Sequence, residues 1–216
     1  MHKSIQNLNN IKDRIKQNSQ SYNNINIIAV SKTFAIDKIT PLLNHGHKDF
    51  GENKVQEAIE KWTEVKSNNS SIKLHLIGKL QTNKVKHALK IFDYIHSLDS
   101  KKLAKKIADE QLKLSKKIKI FIQVNIGSEE QKSGVSVEEL EDLYKFSASL
   151  NLDVIGLMCI PPENKNPDDY FKKLNSLNNS LGLNELSMGM SSDYISAINN
   201  GATFLRIGSE IFGQRY

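Results

Sequence analysis

Apolar positions along this chain fall into two alternating rhythms. Ile5, Leu8, Ile11 and Ile15 recur at three- and four-residue intervals and predict an N-terminal helix with one buried face. After a polar break, residues 25–31 (INIIAVS) form an almost continuous apolar, β-branched run. Such a run suits a strand buried on both sides, as in a parallel sheet. Further strands are predicted at 48–51, 73–78, 94–98, 117–126, 152–160, 185–188 and 204–207. Between them lie helical stripes: 36–43, the face Val55, Ala58, Ile59, Trp62, Val65, then 83–91 and the face Leu103, Ala104, Ile107, Ala108, Leu114. The series continues with Val137, Leu140, Tyr144, Ala148, then 170–180 and 194–199.

Strands that alternate with helices pair in parallel, and eight such units close a barrel. The predicted fold is therefore α/β, a single (β/α)8 TIM barrel with an extra N-terminal helix, occupying 1–216 as one domain. An open doubly wound sheet is the alternative. The 216 residues fall short of the roughly 250 usual for this barrel, which leaves little for a second domain. Neither an internal repeat nor a linker interrupts the series.

One cysteine, Cys159, forms no intrachain disulfide and suits a reducing compartment. The N-terminus lacks the apolar segment of a signal peptide, and no apolar run reaches about 18 residues. The expectation is a soluble, cytoplasmic protein without a membrane partner. Net charge is +6. The lysine pairs at 101–102, 105–106 and 116–117 lie on or beside a helix without interleaved aromatics, so they read as a solvated face and not as a nucleic-acid stripe. The positive balance instead favours anionic small molecules.

In this barrel class chemistry gathers at the C-terminal ends of the strands. Reading those ends in turn gives Lys32 after strand one, Asn53 after strand two, and His75 on strand three. Met158 ends strand six, Ser191 and Ser192 follow strand seven, and Arg206, Gly208 and Ser209 lie on and after strand eight. Lys32 ends an otherwise uncharged buried strand and points inward and upward if the alternation of Ile28 and Val30 holds. A free lysine, with a pKa of about 10.4, is a poor nucleophile at neutral pH, but desolvation or a nearby cation frees the amine to attack an aldehyde. The plainer reading is a strand-end lysine reaching solvent. Loops after strands seven and eight, with a short extra helix, are where many barrels bind phosphate, and Gly208-Ser209 opens one such turn. Capping by Ser209 and a tight turn at Gly208 is the plainer alternative. An amine trap and a phosphate cradle in one mouth suggest pyridoxal 5′-phosphate (PLP).

Rival signals are weaker. His45-Gly46-His47 precedes strand two and so sits at the wrong end for a metal site. His75, His87 and His96 lack the carboxylate spacing of a zinc site. Gly189-Met-Ser191-Ser192-Asp193 lacks the second glycine of a nucleophile elbow, and neither GxxxxGK[ST] nor GxGxxG occurs. Cys159 follows a buried strand and reads as packing.

Ordered motifs run from about residue 27 to the C-terminus. They are Ala29-Val-Ser-Lys32, Phe50-Gly-Glu-Asn53, His75-Leu-Ile-Gly78, Lys132-Ser-Gly134, Gly156-Leu-Met158 with Ile160-Pro161, Leu186-Ser-Met-Gly-Met-Ser191, and Arg206-Ile-Gly-Ser209 with Ile211-Phe-Gly213. In these the chain resembles the pyridoxal phosphate homeostasis protein family, whose fold is similar to the alanine racemase N-terminal barrel. The resemblance implies PLP on Lys32 as a Schiff base, Ser191, Gly208 and Ser209 around the phosphate, and Arg206 facing the pyridine nitrogen. It also implies Asn53, His75 and Met158 near the cofactor. Lys79, Cys159 and Ser209 depart from the family's usual residues; serine keeps the hydroxyl that phosphate binding needs.

The related racemase carries a second domain and takes a tyrosine base from its partner subunit. This sequence reaches Tyr216 soon after strand eight, so the expectation is a cofactor carrier and not a strong catalyst. That role is intracellular PLP (vitamin B6) homeostasis, affecting amino-acid and keto-acid balance. A small PLP-dependent amino-acid racemase or lyase is the alternative. A site complete within one barrel mouth favours a monomer, with apo PLP-dependent enzymes as its partners.

Overall fold

The computed structural model describes residues 1–19, 22–129 and 131–214. Eight strands close a parallel barrel in chain order: β1 (Asn26–Val30), β2 (Asp49–Glu52), β3 (Lys73–Leu76), β4 (Tyr94–Leu98), β5 (Lys119–Gln123), β6 (Asp153–Met158), β7 (Glu185–Ser187) and β8 (Phe204–Ile207). Closure is direct, since Ile28 pairs with Arg206 and Ala29 with Ile207 across the β1–β8 seam. The helices are α1 (Lys3–Asn18), α2 (Ile36–Asn44), α3 (Val55–Asn68), α4 (Val85–Ile91), α5 (Lys101–Leu114), α6 (Leu140–Ser149), α7 (Pro167–Ser180), α8 (Tyr194–Asn199) and the single turn α9 (Ser209–Phe212). The barrel expected from the alternation is the fold observed, and the doubly wound alternative is ruled out by the β1–β8 pairing.

Local chemistry sets the boundaries. Ser100 caps α5 through the Leu103 N–H, and Asn166 caps α7 with Pro167 at the first helical position, where its missing N–H is harmless. The run at 117–126 yields a shorter strand than its apolarity predicts. The Asn125 side chain exchanges hydrogen bonds with the Glu129 backbone at 2.9 and 3.2 Å, which turns the chain out of the ladder. Helix α1 buries Leu8, Ile11 and Ile15, as its periodicity predicts, and packs against α8 and α9. Its Asn7 donates to the Ile211 carbonyl at 3.0 Å.

The core has two layers. The larger lies between the barrel's outer surface and its helices. The smaller fills the barrel interior with Ile28, Phe121, Met158 and Phe204, joined by Tyr94 and Ile155. This inner plug forms the floor on which the C-terminal mouth rests.

Candidate functional site

The alternation of β1 decides where Lys32 goes. Ile28 belongs to the inner plug, whereas Val30 and Lys32 line a cavity of about 500 Å3 at the C-terminal mouth. Its volume lies within the roughly 300–1,000 Å3 of small-molecule sites.

The turn that presents Lys32, itself half-buried, is held on both sides. Ser31 is fully buried, and its hydroxyl donates to Glu52 Oε1 at 2.7 Å. Thr33 adopts a left-handed φ of 68°, and its N–H donates to Glu57 Oε1 at 2.6 Å. A non-glycine residue in that region costs on the order of 1–3 kcal/mol and persists only when its surroundings impose it. Here they do. Lys61 from α3 donates to Glu52 Oε1, Glu57 Oε1 and the Ser31 carbonyl, each at 3.0 Å. Trp62 gives Glu52 Oε1 its third donor, at 2.9 Å. Burial pushes the Glu57 carboxyl up, but the Thr33 N–H and the Lys61 ammonium outweigh it and hold the group below the usual carboxylate range.

The same cavity is lined by Ser191, Ser192, Arg206, Gly208 and Ser209, from the loop after β7 and from the neighbouring strand β8 and its end. The Ser191 hydroxyl accepts from the Glu210 N–H at 3.4 Å and ties the β7 loop to α9. Left-handed Gly189 (φ 91°) begins that loop, and a side chain there would meet the Ala197 Cβ at 2.6 Å. The first N–H groups of α9 have no intrahelical acceptors, as at any helix start.

Arg206 is buried beneath this rim. It donates to Ser187 Oγ at 2.7 Å and to the Cys159 carbonyl at 2.8 Å, which fixes the guanidinium plane and leaves other N–H groups for the cavity it lines. Burial lowers its pKa from the ordinary arginine value.

Asn53 follows β2 and lines the same cavity. Its Oδ1 is buried and accepts no hydrogen bond within the protein. Gly78 lies so close that a Cβ there would come within 2.4 Å of the Asn53 carbonyl, so only glycine lets the two loops meet.

Seven of the nine residues singled out at the strand ends thus converge: Lys32, Asn53, Ser191, Ser192, Arg206, Gly208 and Ser209. Two do not line the cavity. His75 points down the barrel, with Nε2 3.0 Å from Asp49 Oδ1 at the N-terminal mouth, and stacks on Tyr94. Met158 is fully buried in the inner plug. Both lie one layer below the rim, a depth that a strand-end position in the sequence does not specify. Sequence reasoning gives no role to Glu57 or to Ser187, although Ser187 lies within the Leu186–Ser191 motif. Ser187, a hydroxyl ending the apolar strand β7, carried a legible signal; Glu57 reaches the turn only through the α3 packing.

The cavity's donor set has a definite chemical preference. Two cations and three serine hydroxyls face it, with no carboxylate among the described residues that line it. An anionic ligand with a carbonyl group within reach of Lys32 fits these residues. Cys159 offers no competing nucleophile, because burial pushes its thiol up to about 12. His47 lies at the opposite mouth beside α1, where burial lowers it to about 4. Among the described residues no group of three or more His, Cys, Asp or Glu side chains is placed to hold a metal ion. Nor is any helix long and apolar enough to cross a membrane.

Residues 6–216 match the family described as alanine racemase, N-terminal domain. A protein of Aquifex aeolicus named pyridoxal phosphate homeostasis protein is 42% identical over 199 residues, covering 88% of this chain and 86% of its own. The solved structure of PipY from Synechococcus elongatus PCC7942 with PLP bound superposes with a TM-score of 0.81 at 33% identity, covering 88% of this chain and 93% of that one. A Clostridium difficile alanine racemase shares the fold at a TM-score of 0.76 and 15% identity, with this chain spanning 57% of its length.

Proposed function

Because the chain belongs to the alanine racemase N-terminal domain family, alongside relatives named pyridoxal phosphate homeostasis proteins, we propose that it binds PLP and helps to control the intracellular supply of that cofactor. The observation that carries this reading is the convergence of Lys32, Arg206 and the Ser191–Ser209 rim around one cavity.

Lys32 Nζ would be the amine that takes the aldehyde as a Schiff base, with release of water. The rim hydroxyls of Ser191 and Ser209, with the Ser209 N–H that opens α9, would hold the phosphate dianion. Arg206 would offer its remaining N–H donors to the ring nitrogen, and the unpartnered Asn53 Oδ1 would accept from a donor on the ligand. When bound, PLP supplies an aldehyde and a conjugated ring able to draw electrons from an attached amino acid. PLP enzymes that use that sink fully often pair the ring nitrogen with a carboxylate. Arg206, fixed by two acceptors, disfavours protonation there instead. Racemases of the related barrel nevertheless work with an arginine, so this feature alone does not separate a carrier from a catalyst. With relatives named pyridoxal phosphate homeostasis proteins, the reading is a carrier, working in the cytoplasm as a monomer and supplying apo PLP-dependent enzymes, with effects on amino-acid and keto-acid balance.

Absorbance spectroscopy tests this directly. PLP added to the protein is expected to give a visible-edge band that borohydride removes, and mass spectrometry should then locate a pyridoxyl group on Lys32. Lys32→Ala should abolish both signals. A wild-type protein that gains neither in excess PLP would overturn the reading.

A further inference from the structure

A line of buried polar groups crosses the barrel from one mouth to the other. Asp49 opens β2 at the N-terminal end, with its side chain 27% exposed. Its Oδ1 lies 3.0 Å from His75 Nε2. His75 Nδ1 lies 3.0 Å from His96 Nε2, and His96 Nδ1 lies 2.8 Å from Ser187 Oγ. Ser187 in turn accepts from Arg206 at 2.7 Å. His75, His96 and Ser187 have no exposure, and aromatic stacking on Tyr94 and Phe121 holds the two imidazole planes.

The ends of this line dictate its protons. A guanidinium only donates and a carboxylate only accepts. Four links need four protons, and Arg206, Ser187, His96 and His75 each supply one. The Ser187 O–H must therefore donate to His96 Nδ1, the His96 Nε2–H to His75 Nδ1, and the His75 Nε2–H to Asp49. Turning either histidine to its other tautomer leaves one link with two protons or one with none. Burial lowers both imidazoles below the ordinary histidine value, and neighbouring cationic Arg206 lowers His96 further, so both rings stay neutral as the pattern requires.

We infer that Asp49, His75, His96 and Ser187 form a relay with a single allowed polarity that positions Arg206, making Asp49 a positioning residue for the cofactor site although it sits at the opposite mouth. The role of Arg206 toward PLP rests on the reading above; the relay itself does not. Without a carboxylate at the far end the order reverses. His96 then donates from Nδ1 to Ser187, whose own O–H must leave the line, and one of the two acceptors fixing the guanidinium is reoriented.

The test begins with the cofactor-free protein, whose imidazole nitrogens are read by long-range 1H–15N NMR at pH 7.5. His75 and His96 are both expected as neutral Nε2–H tautomers. Asp49→Asn, which keeps an oxygen acceptor, should preserve that pattern, whereas Asp49→Leu should shift His96 toward Nδ1–H. A charged ring or an Nδ1–H tautomer in the wild type would overturn the inference, and that result needs no variant to fold. PLP is then titrated by absorbance. Asp49→Leu should bind about tenfold more weakly than wild type, a loss of about one charge-anchored link, while Asp49→Asn binds as wild type. Unchanged affinity in Asp49→Leu would sever the relay from Arg206. A wild-type protein with the expected tautomers that never binds PLP would instead count against the proposed function and leave the proton order standing.

Discussion

Glu57 Oε1 accepts the Thr33 N–H at 2.6 Å, one residue beyond the lysine that faces the cavity. The helix that follows β2 thereby grips the loop that follows β1. This contact, and not the strand alone, holds the left-handed Thr33 and sets the exit angle of Lys32.

Removing that acceptor should therefore loosen the turn and leave the barrel intact. Glu57→Ala is expected to lower unfolding free energy by about 1–2 kcal/mol, the value of a partly exposed bond to a charged group, and to slow capture of PLP by Lys32. Adding Thr33→Gly should return about 1 kcal/mol, because glycine meets a positive φ without strain. Urea denaturation and stopped-flow absorbance measure the two effects. A Glu57→Ala protein with wild-type capture kinetics would deny the grip its purpose.

Deeper in the same network a larger penalty is expected. Glu52 is fully buried, its Oε1 takes three side-chain donors, and its Oε2 has no partner within the protein. Lys61→Met strips the cation paired with it and should cost about 3–5 kcal/mol. Combining Lys61→Met with Glu52→Gln removes the stranded charge and should recover much of that loss. Urea midpoints of the two variants decide the point.

Acid should destabilise the fold through its histidines. His75, His96 and His47 all have pKa values lowered in the folded state, chiefly by burial. The unfolded chain therefore binds more protons than the folded one below the unfolded histidine value of about 6.5. Their contribution is fully present above that pH and is lost as pH falls toward about 4, where His47 titrates in place. Each histidine adds a slope of about 1.4 kcal/mol per pH unit in that window. Denaturation at pH 7.5, 6 and 5 should show the decline, and His47→Gln should reduce the slope by one proton's worth.

Much of this was written in the hydrophobic pattern. INIIAVS at 25–31 gave a doubly buried strand, its alternation gave the direction of Lys32, and the SMGMSS and RIGS segments gave the serine-lined rim, since strand ends are where a barrel's side chains become free to act. Depth along a strand was not legible. His75 and Met158 occupy strand positions that resemble rim positions, yet the stagger of neighbouring strands drops them below it. Contacts between elements distant in sequence were hidden for the same reason: nothing in the spacing of Asp49, His96 and Ser187 announces that they form one line through the barrel.

The phosphate end allows a cleaner dissection than the amine end, because the ligand can be varied with the protein unchanged. Ser209→Ala removes one hydroxyl from the rim and should weaken PLP by about 10- to 100-fold, the range for a bond to a charged group. Pyridoxal, which lacks the phosphate, should bind wild type and variant alike. Equal loss for both ligands would move Ser209 from anion binding to the structure of α9.

Cys159 sits where chain chemistry and site geometry separate. Its carbonyl accepts from Arg206 while its side chain is fully buried, with the thiol pushed up to about 12. The folded protein at pH 8 is therefore expected to resist a thiol-specific disulfide reagent, and to react fully only when denatured, since the thiolate is the attacking form. Cys159→Ala keeps the carbonyl and hence the Arg206 bond. It should lose some packing energy but bind PLP with wild-type affinity. Stability falling while affinity holds would show that the backbone at this position, and not the sulfur, serves the site; a matching fall in both would make the side chain part of what keeps Arg206 in place.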